Sequence, residues 1–252
     1  MNILAIGNSF SQDATRYLHD IAAADGCDLT VVNLYIGGCS LQKHWENIEN
    51  NAPDYDYELN GYAVRGEAAI PQTLKERQWD YITLHQVSGK SGNKESYYPY
   101  IDLITNYIKK NTPTAEVVIH ETWAYELDSE HPDFPYYGSQ ENMYLAIRSA
   151  YEFVADRLNA RIIPSGDVIQ KLRSHPLFDY ARGGQSLCRD GFHMDFIYGR
   201  YLTAAVWYVT LTKRSILGNE FIPPAVDDIN VDKEKIMVIK QCVHDMLSSE
   251  YR

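Results

Sequence analysis

A three-layer α/β/α sandwich built on a five-stranded parallel sheet is the fold the sequence predicts. Three observations carry that expectation. Short apolar runs alternate with helix-length amphipathic segments along the 252 residues, the pattern of parallel strands joined by helical crossovers. Each apolar run is followed by a polar or glycine-rich turn, as strand ends converging on one binding rim require. No repeat, low-complexity tract or linker breaks the rhythm, so a single domain is expected over 1–252.

Residues 2–6, Asn-Ile-Leu-Ala-Ile, are the first predicted strand. A helix capped by Ser11 runs to about Asp25 and stops at Gly26. The second strand is read at 29–34, a helix at 40–50, and the third strand at 81–84. A helix follows at 96–110, the fourth strand at 116–119, a long helix at 140–158 and a short fifth strand at 161–163. The last helices are read at 197–212 and 231–248. Right-handed crossovers then place helices on both faces of the sheet. Two segments depart from this alternation. Residues 55–65 alternate around Asn60-Gly61, a hairpin signal. Residues 123–144 form a long polar and aromatic stretch with Pro132 and Pro135, of a length that usually carries function. Both are expected to overhang the strand ends.

The composition excludes several classes. A net charge of −11 repels phosphate backbones and argues against a nucleic-acid partner. The four cysteines are widely spaced with no CxxC pair, which disfavours a zinc ribbon or a disulfide scaffold. The apolar stretch at 196–211 contains Arg200 and is shorter than a bilayer span, so it reads as a core helix and no membrane span is expected. Met1 leads directly into residues 2–6, too short and too uncharged for a secretory leader, which points to the cytoplasm. A leader removed beforehand would instead imply the periplasm or the exterior. The 20 tyrosines fit either ligand-lining loops or a surface of half-buried rings. Oligomeric state is not legible.

The chemistry is sought at the strand ends. After the first strand comes Gly7-Asn8-Ser9, after the second Gly37-Gly38-Cys39-Ser40, after the third His85-Gln86-Val87-Ser88-Gly89. Ser9 lies between a strand and a helix, where it is either a nucleophile or an N-cap. A nucleophilic serine needs a base, and the base needs an orienting carboxylate. Of the eight histidines, His193 stands in Asp190-Gly191-Phe192-His193-Met194-Asp195, three residues after Asp190. In a tight turn that spacing lets the carboxylate reach one ring nitrogen while the other faces the cleft. An ordinary surface histidine fits the spacing equally. A metal held by Asp190, His193 and Asp195 lacks a partner cluster.

Taken together, these residues resemble the SGNH hydrolases, also called the GDSL esterase/lipase superfamily. The first block is Gly7-Asn8-Ser9-Phe10-Ser11, the second supplies Gly38, and the last is Asp190 with His193. The chain is most similar to a bacterial branch carrying Gly-Asn-Ser-Phe in the first block. The third block, normally Gly-x-Asn-Asp, here reads Leu84-His85-Gln86-Val87-Ser88, with Gln86 the nearest amide. The resemblance implies a flavodoxin-like sandwich and a Ser9–His193–Asp190 triad acting through an acyl-enzyme. It also implies an oxyanion hole made by the Ser9 and Gly38 N–H groups and the Gln86 side chain. No metal or organic cofactor is required by that chemistry. Trp123, Tyr125, Tyr136 and Tyr137 either stack on a sugar ring, which favours small acyl esters of a carbohydrate, or only pack the 123–144 loop against the body. A lipase or thioesterase with the same triad, or a catalytically silent binding protein of the same fold, are the alternatives.

Overall fold

The computed structural model describes residues 1–226 and 229–247. In chain order the elements are β1 (Asn2–Gly7), α1 (Ser9–Thr15), α2 (Leu18–Ala24), β2 (Thr30–Tyr35), α3 (Leu41–Glu49), β3 (Tyr55–Leu59), β4 (Tyr62–Ala68), α4 (Ile70–Thr73) and β5 (Tyr81–Leu84). There follow α5 (Tyr100–Asn111), β6 (Glu116–Glu121), α6 (Phe134–Tyr137), α7 (Gln140–Leu158), β7 (Arg161–Pro164), α8 (Ser165–Leu172), α9 (Tyr198–Thr212) and α10 (Lys233–Leu247).

The sheet has seven strands in the order β4-β3-β2-β1-β5-β6-β7. The five predicted strands are its parallel portion, β2-β1-β5-β6-β7. Among these five the chain order is flavodoxin-like: it steps from β1 to one side, then returns across β1 to β5. The crevice at the carboxyl end of β1 is therefore the topological switch point, where α/β sheets bind ligands. Ile3, Leu4, Ala5 and Ile6 are all fully buried although successive side chains point to opposite faces, so both faces of β1 are covered.

The Asn60-Gly61 segment is a hairpin, with both residues at positive φ, but it does not overhang the rim. β3 runs antiparallel to β2 with Leu59 opposite Val32, and the Asn60 N–H donates to the Val31 carbonyl. An antiparallel strand entering beside the carboxyl end of β2 must turn at the other end. The hairpin thus adds two strands in the plane of the sheet, its turn remote from the strand carboxyl ends.

Other boundaries shift for local reasons. The predicted 11–25 helix is broken into α1 and α2 at Arg16 and Tyr17, and the buried Tyr17 hydroxyl donates to the Phe196 carbonyl. The predicted 96–110 helix starts only at Tyr100, because Pro99 disfavours helical backbone in the residue before it. Its first residues form a separate 3₁₀ turn, Lys94–Tyr97. α8 has no counterpart among the predicted elements; Ser165 opens it directly after β7. α9 is buried almost all round, as its apolar sequence demands, with Arg200 half-buried at its start. Each such Leu or Val side chain contributes roughly 1.5–3 kcal/mol on burial. Among the described residues, no helix is long and apolar enough to cross a membrane. Ser248, the predicted end of the last helix, lies outside the described residues.

Candidate active site

β1 delivers Ser9 to the switch point. Gly7 is the last strand residue, and a Cβ there would lie 2.2 Å from His85 Cε1 and 2.4 Å from Ser11 Oγ. Asn8, not Ser11, caps α1: its Oδ1 accepts from the Phe10 N–H at 3.0 Å. Its Nδ2 donates to the Cys39 carbonyl at 3.0 Å, tying the Gly37-Gly38 turn to the nucleophile segment. Because Oδ1 is an acceptor, the His85 Nε2 that meets it at 3.0 Å must carry the proton. Burial pushes the His85 imidazole down to about 3, so it stays neutral. With the capping done by Asn8, the Ser9 hydroxyl at the first helical position is free of that duty.

The Ser9 Oγ lies 2.8 Å from His193 Nε2. His193 Nδ1 lies 2.7 Å from Asp190 Oδ2. Asp190 Oδ1 accepts from the main-chain N–H groups of His193 at 2.8 Å and Phe192 at 3.2 Å. Partial burial pushes the Asp190 carboxyl up, but the hydrogen bonds from His193 more than offset it and hold it below the ordinary carboxylate range. An ionised Asp190 fixes the proton on Nδ1, leaving Nε2 bare to accept from the serine hydroxyl. The structure thus brings Ser9, His193 and Asp190 into one hydrogen-bonded chain.

The Asp190–His193 turn is clamped from the 123–144 segment. Trp123 Nε1 donates to the Phe192 carbonyl at 2.8 Å, and the Glu126 N–H to the Gly191 carbonyl at 2.7 Å. Gly191 has φ +85° and would drive a Cβ to 2.8 Å from Ser129 Cα. Only glycine accepts both conditions without strain. The Phe192 and His193 rings pack with centroids 4.1 Å apart.

This clamp corrects the expected sugar platform. Trp123 and Tyr125 are fully buried and Tyr137 is 7% exposed, so none offers a face to a ligand. Trp123 packs on Phe10 with centroids 4.1 Å apart. The Tyr125 hydroxyl meets Ser88 Oγ at 2.7 Å, and the Tyr137 hydroxyl donates to the Gly89 carbonyl at 3.1 Å. These rings hold the segment to the turn after β5. Tyr136, at 77% exposure, alone of the four is open.

Gly38 and Gln86 part company. Gly38, at φ +64°, is exposed and sits in the turn closed by the Cys39 N–H to the Ile36 carbonyl at 3.2 Å. Gln86 is 1% exposed and its amide is spent. Its Oε1 accepts from Leu41 N–H at 3.1 Å and Val87 N–H at 2.9 Å. Two main-chain donors fix that oxygen, so Nε2 must be the group facing the Ser96 carbonyl at 2.9 Å and Ser96 Oγ at 3.2 Å. With both hydrogens engaged, Gln86 is not an oxyanion donor in this arrangement. It ties the start of α3 to the 3₁₀ turn after β5. Asp195 is likewise engaged ahead of α9, its Oδ1 accepting from the N–H groups of Ile197 at 3.0 Å and Tyr198 at 2.7 Å.

The parallel-dominated sheet flanked by helices matches the SGNH hydrolase fold, with seven strands in place of five. The chain belongs to the family described as "Domain of unknown function (DUF4886)", whose model matches residues 2–244. A DUF4886 family protein from Bacteroides uniformis is 34% identical; the match covers 100% of this chain and 96% of that one, with TM-score 0.88. An acetyl xylan esterase, AlAXEase, is similar in fold at 12% identity and TM-score 0.57, over 84% of this chain and 100% of that one. A member of the lipolytic protein G-D-S-L family from Veillonella parvula matches at 17% identity and TM-score 0.51, over 85% and 100%. No curated protein matches the chain in sequence.

Proposed function

We propose that the protein is a serine esterase that hydrolyses small, acetyl-like acyl esters of a carbohydrate through an acyl-enzyme. The observation that carries this reading is the Asp190–His193–Ser9 chain, with contacts of 2.7 and 2.8 Å. Ser9 Oγ attacks the ester carbonyl carbon while its proton passes to His193 Nε2. Asp190 stabilises the imidazolium that forms. The carbon–oxygen bond to the alcohol breaks, and His193 returns the proton to the departing oxygen. Water then attacks the acyl-enzyme, giving its proton to His193, and the acid leaves as Ser9 is restored. The main-chain N–H groups of Ser9 and Gly38 hold the oxyanion. With the Gln86 amide engaged elsewhere, the hole has two donors rather than three. A missing donor costs on the order of 100-fold or more in kcat, so slow turnover is expected.

The substrate reading rests on two supports. The 123–144 segment packs aromatic rings against the triad turn, Trp123 on Phe10 and Tyr125 on Phe192, and its sequence supplies no continuous aliphatic run to hold a long acyl chain. The alcohol is assigned to a carbohydrate by fold likeness to the acetyl xylan esterase and by the open Tyr136 ring. Hydrolysis of p-nitrophenyl acetate, p-nitrophenyl palmitate and an acetylated xylo-oligosaccharide tests both. Turnover of the acetate and the oligosaccharide is expected. A palmitate preference would replace this reading with a lipase or thioesterase, and no turnover of any ester would leave a binding protein.

A further inference from the structure

The geometry points to Asp13 as the positioning residue that sets the approach of His193 to Ser9, an inference resting on the esterase reading. Asp13 follows Ser9 by four residues on α1, so the two side chains share one face of the helix, one turn apart. Its carboxylate is fully buried. Oδ2 accepts from the Met194 N–H at 2.9 Å, the residue directly after His193. Arg189 Nη1 donates to both carboxylate oxygens, at 3.0 and 3.1 Å, and Arg200 Nε donates to Oδ1 at 2.8 Å. The same Arg189 nitrogen also donates to the Met194 carbonyl. Both polar main-chain groups of Met194 are thereby held by this cluster. The Arg189 N–H donates to the His193 carbonyl at 2.9 Å, closing the turn on itself.

Nucleophile and base are therefore gauged from a single rigid part. One helical turn carries Ser9 at one end and the anchor of the His193 main chain at the other. A buried carboxylate is unfavourable unless it is paired and hydrogen-bonded. Packing alone would be served by an apolar side chain. What the carboxylate adds is direction: it accepts from Met194 N and from two guanidinium groups that reach it from different elements, the turn and α9. The Phe196 ring fills the space beside them, with each guanidinium carbon 4.7 Å from its centroid.

The test uses Asp13→Asn and Arg189→Lys in the full chain, with Ser9→Ala beside them. Three quantities are read: thermal midpoint, kcat and KM on p-nitrophenyl acetate, and the low-field proton resonance of the His193 ring, assigned by its loss in His193→Gln. Asp13→Asn is expected to lower kcat on the order of 100-fold with KM within about twofold, as a misplacement near 1 Å does, and to shift or remove the resonance. Arg189→Lys, which keeps the charge but loses the planar fork, is expected to act in the same direction by roughly tenfold. A structural role alone would lower the midpoint while leaving kcat and the resonance of the folded protein unchanged, and that result overturns the inference. If Asp13→Asn does not fold, Arg189→Lys decides on the same criteria. Absence of turnover in the unmutated chain, or full activity in Ser9→Ala, overturns the esterase reading alone, because the resonance still reports whether Asp13 positions the ring.

Discussion

At the scale of single residues, Ser9 owes its availability to its neighbour. Asn8 caps the helix, fixes the His85 tautomer and tethers the Gly38 turn, leaving the Ser9 hydroxyl to His193. Gln86 shows the opposite case, an amide consumed by the scaffold. Gln86→Ala leaves the buried Leu41 N–H, the half-buried Val87 N–H and the Ser96 carbonyl without that partner, and should destabilise the fold by about 1–3 kcal/mol. Urea unfolding measures this, and kcat per folded molecule should change less than twofold. A large kcat loss at unchanged stability would return Gln86 to the oxyanion. In the sequence, a glutamine at the expected amide position is indistinguishable from a working donor, because only geometry shows where its hydrogens go. Asp13 was invisible for a related reason. An aspartate in an amphipathic helix reads as solvated, and only the convergence of Arg189 and Arg200 shows that it is buried.

At the scale of elements, the triad depends on one loop gripping another. Trp123→Phe keeps the ring against Phe10 and removes the Nε1 hydrogen bond to the Phe192 carbonyl. One such bond is worth about 1 kcal/mol, so kcat should fall several-fold with KM nearly constant. An unchanged kcat would show that the clamp does not position His193. Elements with a clear period were legible: β5 and α7 fall where hydrophobic pattern places them, at 81–84 and 140–158. The hairpin was legible as a hairpin from Asn60-Gly61, but its placement was not, since pairing with β2 is a non-local choice. The 123–144 aromatics leave ligand-facing and loop-packing roles both open, because tyrosine and tryptophan suit wet grooves and cores alike. Burial, which decides between those uses, is a tertiary property.

At the scale of the whole molecule, three histidines lie in the core. Burial pushes His44 and His85 down to about 3 and His120 well below its ordinary value. Burial and the neighbouring Asp167 carboxylate push Glu121 up to about 8. Below about pH 6.5, the usual histidine value, an unfolded chain takes up protons the folded core refuses. Stability contributed by the neutral histidines is thus present above that pH and falls as acid is added, by up to about 1.4 kcal/mol per unit for each. Glu121 has the opposite sign: it is protonated in the fold, and its contribution is lost as pH rises from the unfolded carboxyl value toward 8. Over the acidic limb the three histidines outweigh the one glutamate, so denaturant unfolding should show maximal stability near pH 6.5. Glu121→Gln should flatten the alkaline limb. Stability rising steadily from pH 5 to 8 would contradict this assignment of core charges. The central claim is tested most directly on the intact chain by exposure to a fluorophosphonate, followed by peptide mass analysis. The account predicts one stoichiometric phosphonyl adduct, located on Ser9, abolished in Ser9→Ala and slowed at least tenfold in His193→Gln. A folded protein that takes no adduct, or takes it on another residue, would contradict it.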